Sequence, residues 1–130
     1  MDSSIDLNGG QLASRDFSGA DLSNADLSAA NLWRANLCEV DLTGANLCRA
    51  YLCEVDLTGA NLSNADLSGA DLWNANLTGA NLSGAKLTGA NMSGSNLEGA
   101  ILPRNFGKID SWPAGAWPTT LWPEGYGPLS

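Results

Sequence analysis

The sequence predicts an all-β solenoid, a chain that turns a corner every five residues and closes a square coil every four units. Three observations predict it. From position 17 to position 102 there are 18 slots at intervals of five; 16 hold Leu and the others hold Phe17 and Met92. Two residues before the slot, 14 of the 18 positions hold Ala. The unit therefore reads Ala-(Asp/Asn)-Leu-x-x, as in Ala20-Asp21-Leu22-Ser23-Asn24 or Ala75-Asn76-Leu77-Thr78-Gly79.

A period of five fits neither ordinary element. On an α-helix five residues advance about 500°, roughly 140° past a full turn, so the leucines would wander around the axis. On a flat strand an odd spacing sends successive leucines to opposite faces. A right-angle turn every five residues gathers them instead. Leu and Ala point inward, the other three positions point outward, and coils stack through backbone hydrogen bonds about 4.7–4.9 Å apart. No unit buries its apolar face alone, so stacking makes the core.

Three segments follow in order. Residues 1–14 read as an irregular lead-in: Ile5, Leu7 and Leu12 keep the phase, but Gly9-Gly10-Gln11 weakens the pattern. Residues 15–102 form the coil, about four to five turns of it. Residues 103–130 change composition, with all five prolines and with Trp112, Trp117 and Trp122. A solenoid leaves an apolar cross-section and unpaired backbone groups at its ends. Proline cannot donate to a ladder, so Pro103 can stop coil growth, and Trp112, Trp117 and Trp122 keep the five-residue phase of Leu102. This segment reads as a C-terminal cap; a dimerisation surface is the alternative. The opposite end has no comparable segment and is the candidate for end-to-end association.

Corner residues vary. The second residue after Leu is Gly at 79, 84, 89, 94 and 99, whereas positions 29 to 54 hold Ala29, Arg34, Glu39, Gly44, Arg49 and Glu54. Glycine suits the positive φ of a type II turn, and bulky residues favour type I. The expectation is mixed type I and type II corners, with type I concentrated in the first half. The peptide Leu-Cys-Glu-Val-Asp-Leu-Thr-Gly-Ala-Asn-Leu occurs at 37–47 and again at 52–62. That offset is three units rather than four, so the two copies lie on different sides.

The tandem Ala-(Asp/Asn)-Leu-x-x units resemble the pentapeptide-repeat proteins, over roughly residues 15–102 or from Ile5. The resemblance implies a right-handed quadrilateral parallel β-helix and a protein that acts by binding. The ending Trp122-Pro123-Glu124-Gly125-Tyr126-Gly127-Pro128 is similar to a tail common in cyanobacterial members.

Composition narrows the function. The chain has 130 residues and a net charge of −8. The acidic, polar start from Met1 to Asp6 shows no signal peptide, and no apolar run approaches the ~20 residues of a membrane span. A cytoplasmic protein with no membrane association is expected. Cys38, Cys48 and Cys53 all follow Leu, so they should point outward as semi-exposed free thiols; a disulfide needs Cβ atoms about 3.8 Å apart. The chain has no histidine, which removes the usual acid–base group near neutral pH. No catalytic residue, cofactor or metal site is expected. Most acids occupy the slot before Leu, where Asp and Asn can bond nearby backbone and support turns. Residues 20 apart stack, giving the columns Asp16, Asn36, Asp56, Asn76, Asn96 and Asp26, Asn46, Asp66, Lys86, with Asp21 over Asp41 as an exception.

The same arithmetic gathers one unusual surface. On the side of Leu32, Leu52, Leu72 and Met92, the slot after Leu holds Trp33, Cys53, Trp73 and Ser93. The corner beside it holds Arg34, Glu54 and Asn74, and the slot before Leu holds Asn31, Tyr51, Asp71 and Asn91. Trp, Tyr and Arg are enriched in binding hot spots, so Trp33, Arg34, Tyr51, Cys53, Glu54 and Trp73 form a candidate protein-interaction face. The bland alternative is that the rings only cover the coil edges. The leading functional reading is a non-enzymatic scaffold for an unidentified protein partner, with no direct nucleic-acid binding. Family resemblance supplies a second reading, an acidic DNA mimic that binds DNA gyrase or another topoisomerase. Those relatives dimerise through a C-terminal helical element, for which residues 103–130 are too rich in Pro and Gly. A third reading is a structural unit that stacks end to end. The chain would then be a monomer or a weak end-to-end homo-oligomer.

Overall fold

The computed structural model describes residues 5–104 and 120–121. Trp112, Trp117 and Trp122 lie outside the described residues.

The residue before each Leu pairs in parallel with the residue 20 positions on, from Asp6 with Asp26 through to Asn81 with Ile101. Each side thus contributes a single bridging residue per coil, and four sides make the 20-residue register. The bridging residue uses both backbone groups on the preceding coil. Asp26, for instance, donates to Ile5 O at 2.7 Å and accepts from Leu7 N at 2.7 Å. Coil geometry begins at Asp6, earlier than the expected boundary at residue 15. Gln11 pairs with Asn31, and Gly9 and Ser14 form corners at φ 65° and 62°. The weak Gly9-Gly10-Gln11 stretch fits because Gly9 occupies a corner.

Inside, Leu27 to Leu82 are fully buried at every fifth position, with the Ala slot buried beside them. Val40 and Val55 fill the Ala slot without becoming exposed. Ser95 takes the same slot, and its hydroxyl donates to Met92 O at 2.7 Å, so the buried polar group is satisfied.

The corners correct one expectation. Type I geometry does not appear where bulky residues stand. Ala29, Arg34, Glu39, Arg49 and Glu54 all have φ between 57° and 60°, and the Gly corners from Gly19 to Gly99 have φ of 68–72°. Each corner closes with an i+3 to i bond, such as Ala35 N to Leu32 O at 2.9 Å. Positive φ at the third turn residue with that bond is the type II form. Stacking supplies the reason. The N–H of the corner residue donates to the carbonyl of the corner in the next coil, as Glu39 N does to Thr58 O and Gly59 N to Thr78 O, both at 2.9 Å. A type I corner turns that central peptide over and would lose these bonds on both sides. The left-handed conformation costs a non-glycine residue about 1–2 kcal/mol, so the stack imposes one turn type along each corner.

At the far end Pro103 and Arg104 leave the coil, and the chain re-enters it at Thr120 and Leu121. Leu121 pairs with Asn96, donates to Ser95 O at 2.9 Å and accepts from Leu97 N at 2.7 Å. Thr120 is buried and donates to Met92 O at 2.6 Å. The separation from 96 to 121 is 25 residues instead of 20, one pentapeptide more than a regular coil. Among the described residues no helix is long and apolar enough to cross a membrane.

Candidate functional site

Most of the outer surface satisfies itself. Every Asp or Asn in the slot before Leu, from Asp6 to Asn96, accepts the N–H of the residue two positions on, as Asp21 does from Ser23 at 3.0 Å and Asn61 from Ser63 at 3.0 Å. Where Ser or Thr follows Leu, its hydroxyl often donates to the same oxygen, at 2.6 Å for Thr43 on Asp41 and 2.7 Å for Ser63 on Asn61. These bonds hold the Asp16, Asp21, Asp26 and Asp66 carboxyls below the usual carboxylate range, the side-chain bond from the following serine counting most. The acidic slots are therefore turn elements, as their spacing implied.

One side departs from this pattern, and it is the side of Leu12, Leu32, Leu52, Leu72 and Met92. Trp33, Tyr51 and Trp73 are exposed at 36%, 44% and 45%. Bridges place Asn31, Tyr51, Asp71 and Asn91 in one ladder. The corner bonds Arg34 N to Cys53 O (3.1 Å) and Glu54 N to Trp73 O (2.9 Å) keep the outer residues in register. Trp33 and Trp73 thus stand two coils apart, roughly 9–10 Å along the axis. At the lower tryptophan the neighbours form a closed set. Trp33 Nε1 and Arg34 Nε both donate to Glu54 Oε2 at 3.1 Å, and the Arg34 guanidinium carbon lies 4.6 Å from the Trp33 ring centroid. That ion pair is open to water, with side-chain exposures of 58% and 30%, so it is worth little in stability.

Cys53 departs from its expected exposure. It is buried, not semi-exposed, although it points away from the leucine core. Its slot lies between Trp33 and Trp73, with Tyr51 two residues before it. The Tyr51 hydroxyl reaches this small side chain, a neighbour that the direction of the slot does not indicate. Burial pushes the thiol up, and Asp71 adds to the rise while the Tyr51 hydroxyl opposes it. Through that contact with Cys53 the Tyr51 phenol is also raised, so both groups keep their protons at neutral pH. Cys38 and Cys48 are half-buried, and each faces an aspartate of the next coil. Burial, with Asp56 beside it, pushes Cys38 up to about 11. All three cysteines are free, and as protonated thiols at neutral pH they are poor nucleophiles.

Tyr51 also forgoes a turn bond. An Asp or Asn at that slot would accept the N–H of Cys53, and a tyrosine cannot. Asp71 is the residue that the sequence reading placed on this side without giving it a part. Its Oδ1 accepts from Trp73 N at 3.1 Å and from Asn91 Nδ2 at 3.2 Å. The signal for it was available as the offset of 18 residues that sets a post-Leu residue against the ladder residue of the next coil. Of the expected cap residues Pro103, Trp112, Trp117 and Trp122, Pro103 is the one described, and it is half-buried where the chain leaves the coil. Among the described residues no cluster of three or more Cys, Asp or Glu side chains could hold a metal ion.

Square register, type II corners and the leucine stack define a class, and comparison with known proteins identifies it. The pentapeptide-repeat family model matches in eight copies over residues 5–44, 16–52, 39–74 and 65–102. This chain belongs to the pentapeptide-repeat family. It is similar to Rfr23, a pentapeptide-repeat protein from the cyanobacterium Cyanothece 51142, at 32% identity and a TM-score of 0.75, covering 91% of this chain and 88% of that one. It is similar to HetL from the cyanobacterium Nostoc sp. PCC 7120, a protein involved in heterocyst differentiation regulation, at 34% identity and a TM-score of 0.63. That match covers 76% of this chain but spans only 58% of HetL. A third similarity is to alr5209 of Nostoc PCC 7120, at 31% identity and a TM-score of 0.55, covering 92% and 85%. No curated protein matches the sequence. The family coil is a right-handed quadrilateral β-helix, and a mirror-image coil would not superpose on Rfr23 to this degree.

Proposed function

We propose that this chain is a non-enzymatic scaffold that binds a partner protein through the side bearing Trp33, Arg34, Tyr51, Cys53, Glu54 and Trp73. One observation carries the reading. Among the described residues it is on this side alone that exposed aromatic rings replace the self-satisfying Asp/Asn and Ser/Thr pairs. Three large exposed side chains in successive coils have the composition of a binding hot spot. The alternative, that the rings merely shield the coil edge, fits less well with Tyr51, which gives up a turn bond. The relatives support a binding role in general terms. HetL's part in regulating differentiation suggests a regulatory contact for this chain too, in a cyanobacterial cytoplasm where free thiols persist. In the same reading residues 103–130 cap the coil, which the return of Thr120 and Leu121 to the ladder favours.

Duplex mimicry with DNA gyrase as target has less behind it. Duplex DNA presents one charge per ~1.7 Å of axis, whereas the columns here dilute Asp with Asn, and among the described residues aspartates stack directly only at Asp6 with Asp26 and Asp21 with Asp41. End-to-end stacking is the third reading, favoured by the half-buried Leu7 and Phe17, and concentration-dependent light scattering tests it. The principal test is paired affinity capture from cyanobacterial lysate with the native chain and a Trp33→Ser/Trp73→Ser variant. A partner held by the first and lost by the folded second is the expected result. Equal capture by both removes the aromatic side from the account.

A further inference from the structure

Trp33 and Trp73 occupy the same slot on the same side, yet their surroundings differ in one respect. The chain has already placed a cation on Trp33. Arg34 stacks 4.6 Å from the ring centroid, and Glu54 in the next coil receives both the indole N–H and the guanidinium. Two coils on, the corner residue is Asn74 and the residue above it is Gly94, so neither a cation nor the matching corner carboxylate is supplied. Among the described residues no cation lies over the Trp73 ring. A carboxylate is nevertheless present. Asp71 stands in the ladder slot of the same coil, where the Trp33 coil has neutral Asn31. Oδ1 of Asp71 accepts from Trp73 N and Asn91 Nδ2, and the protonated Cys53 thiol is the other group that faces this carboxylate. Tyr51 adds a second exposed ring one coil below.

We infer that Trp73, with Tyr51 below it and Asp71 in its own coil, receives the guanidinium of an arginine presented by a partner protein, as Trp33 receives Arg34. This rests on the proposal that the aromatic side is a binding face, and names the chemistry that the face reads. A planar guanidinium can stack on an indole while its edge donates to a carboxylate, which an ammonium does less well. A purely apolar segment laid over the same spot would strip water from the Asp71 carboxylate without supplying an opposite charge. A net charge of −8 draws cationic segments toward the rod and repels acidic ones.

The test follows the indole N–H signals of the full-length ¹⁵N-labelled chain by NMR, assigned with Trp33→Phe and Trp73→Phe. The probes are acetyl-Gly-Arg-Gly amide and the same peptide with citrulline, which keeps the shape and loses the charge. The Trp73 signal moves saturably with the arginine peptide, and the citrulline peptide binds roughly two- to five-fold more weakly, the share of an exposed cation–π contact. Asp71→Asn keeps the turn acceptor and weakens the arginine peptide by a similar factor. The Trp33 signal, whose ring is already covered, moves less. Equal response to both peptides overturns the inference, as does unchanged affinity in Asp71→Asn or a Trp33 signal that moves as much as Trp73. The two proposals fail separately. If lysate capture still distinguishes the native chain from the Trp33→Ser/Trp73→Ser variant while arginine shows no advantage, the binding face stands and its arginine chemistry falls. If capture distinguishes nothing, the face itself falls.

Discussion

The aromatic side and the side opposite it share one backbone and almost one interior, and they differ in what their outer side chains have left to offer. Opposite the tryptophans lie Leu22, Leu42, Leu62 and Leu82. Outside them stand Asp21, Asp41, Asn61 and Asn81, each accepting the amide and the hydroxyl of Ser23, Thr43, Ser63 and Ser83 in turn. Corner residues there alternate as Asn24, Gly44, Asn64 and Gly84, and the side-chain oxygens of Asn24 and Asn64 lie over the glycine above. From Asp21 to Asn81 each ladder side chain there is bonded to the amide and hydroxyl two residues on. On the aromatic side Tyr51 has no turn bond to give, the Trp rings face water, and three bulky corners follow one another at Arg34, Glu54 and Asn74. A repeat that closes its own hydrogen bonds builds a wall, and the side where it stops doing so is where a partner finds unused chemistry.

The first way to break this comparison is through the core, where the two sides should be equal. Leu52 and Leu62 are both fully buried, one behind Tyr51 and the other behind Asn61. Truncating either to Ala removes the same buried atoms, and about 2–5 kcal/mol is expected for each. Equilibrium urea unfolding of Leu52→Ala and Leu62→Ala should give the same loss within error. A much smaller loss at Leu52 would mean that the aromatic side is locally loose, and that its exposed rings reflect poor packing instead of a surface kept for binding.

The second comparison concerns the turn bond. Asn61→Ala on the regular side removes the acceptor for the Ser63 amide and hydroxyl and should cost about 1 kcal/mol. Tyr51→Asn on the aromatic side supplies an acceptor where none exists and should move the urea midpoint in the opposite direction. A stabilised Tyr51→Asn that also loses its captured partner would show a residue kept for function at the expense of stability. If Tyr51→Asn is destabilised, the ring is part of the wall, and the shielding account of this side gains.

These contrasts also mark what the sequence could tell and what it could not. The leucine period revealed the square register because only one backbone path brings every fifth residue inside, and the 20-residue offset then grouped Trp33, Tyr51, Cys53 and Trp73 correctly. Two expectations failed for physical reasons. Side-chain preference at Arg34 or Glu39 bears on one turn at a time, whereas the corner peptides bond to one another from coil to coil. The direction of its slot predicts a semi-exposed Cys53, whereas burial depends on neighbours such as Tyr51 and Asp71 that surround the thiol. Both are cooperative properties of the stack. Asp71 was visible in the sequence, but its significance appears only beside Trp73 and the missing cation.

The smallest expected effect separates the two kinds of corner. Glu54 sits at φ 60° and holds Arg34 and Trp33 Nε1. Replacing it by Gly relieves a left-handed residue, a gain of about 1 kcal/mol, and forfeits an exposed ion pair worth at most about 1 kcal/mol. Glu54→Gly should therefore be nearly neutral in urea unfolding, while Gly44→Ala on the opposite side should be clearly destabilised. That substitution puts a side chain at φ 69° and sets its Cβ against the Asn24 carboxamide oxygen. The neutral result matters because Arg34 then stays over Trp33 only by its own stacking. A chain that is as stable without Glu54, yet shows altered binding at the aromatic side, would assign that corner to recognition. A large loss of stability in Glu54→Gly would return the Trp33–Arg34–Glu54 set to the architecture of the coil and leave Trp73 as the tryptophan of this side that a partner can use.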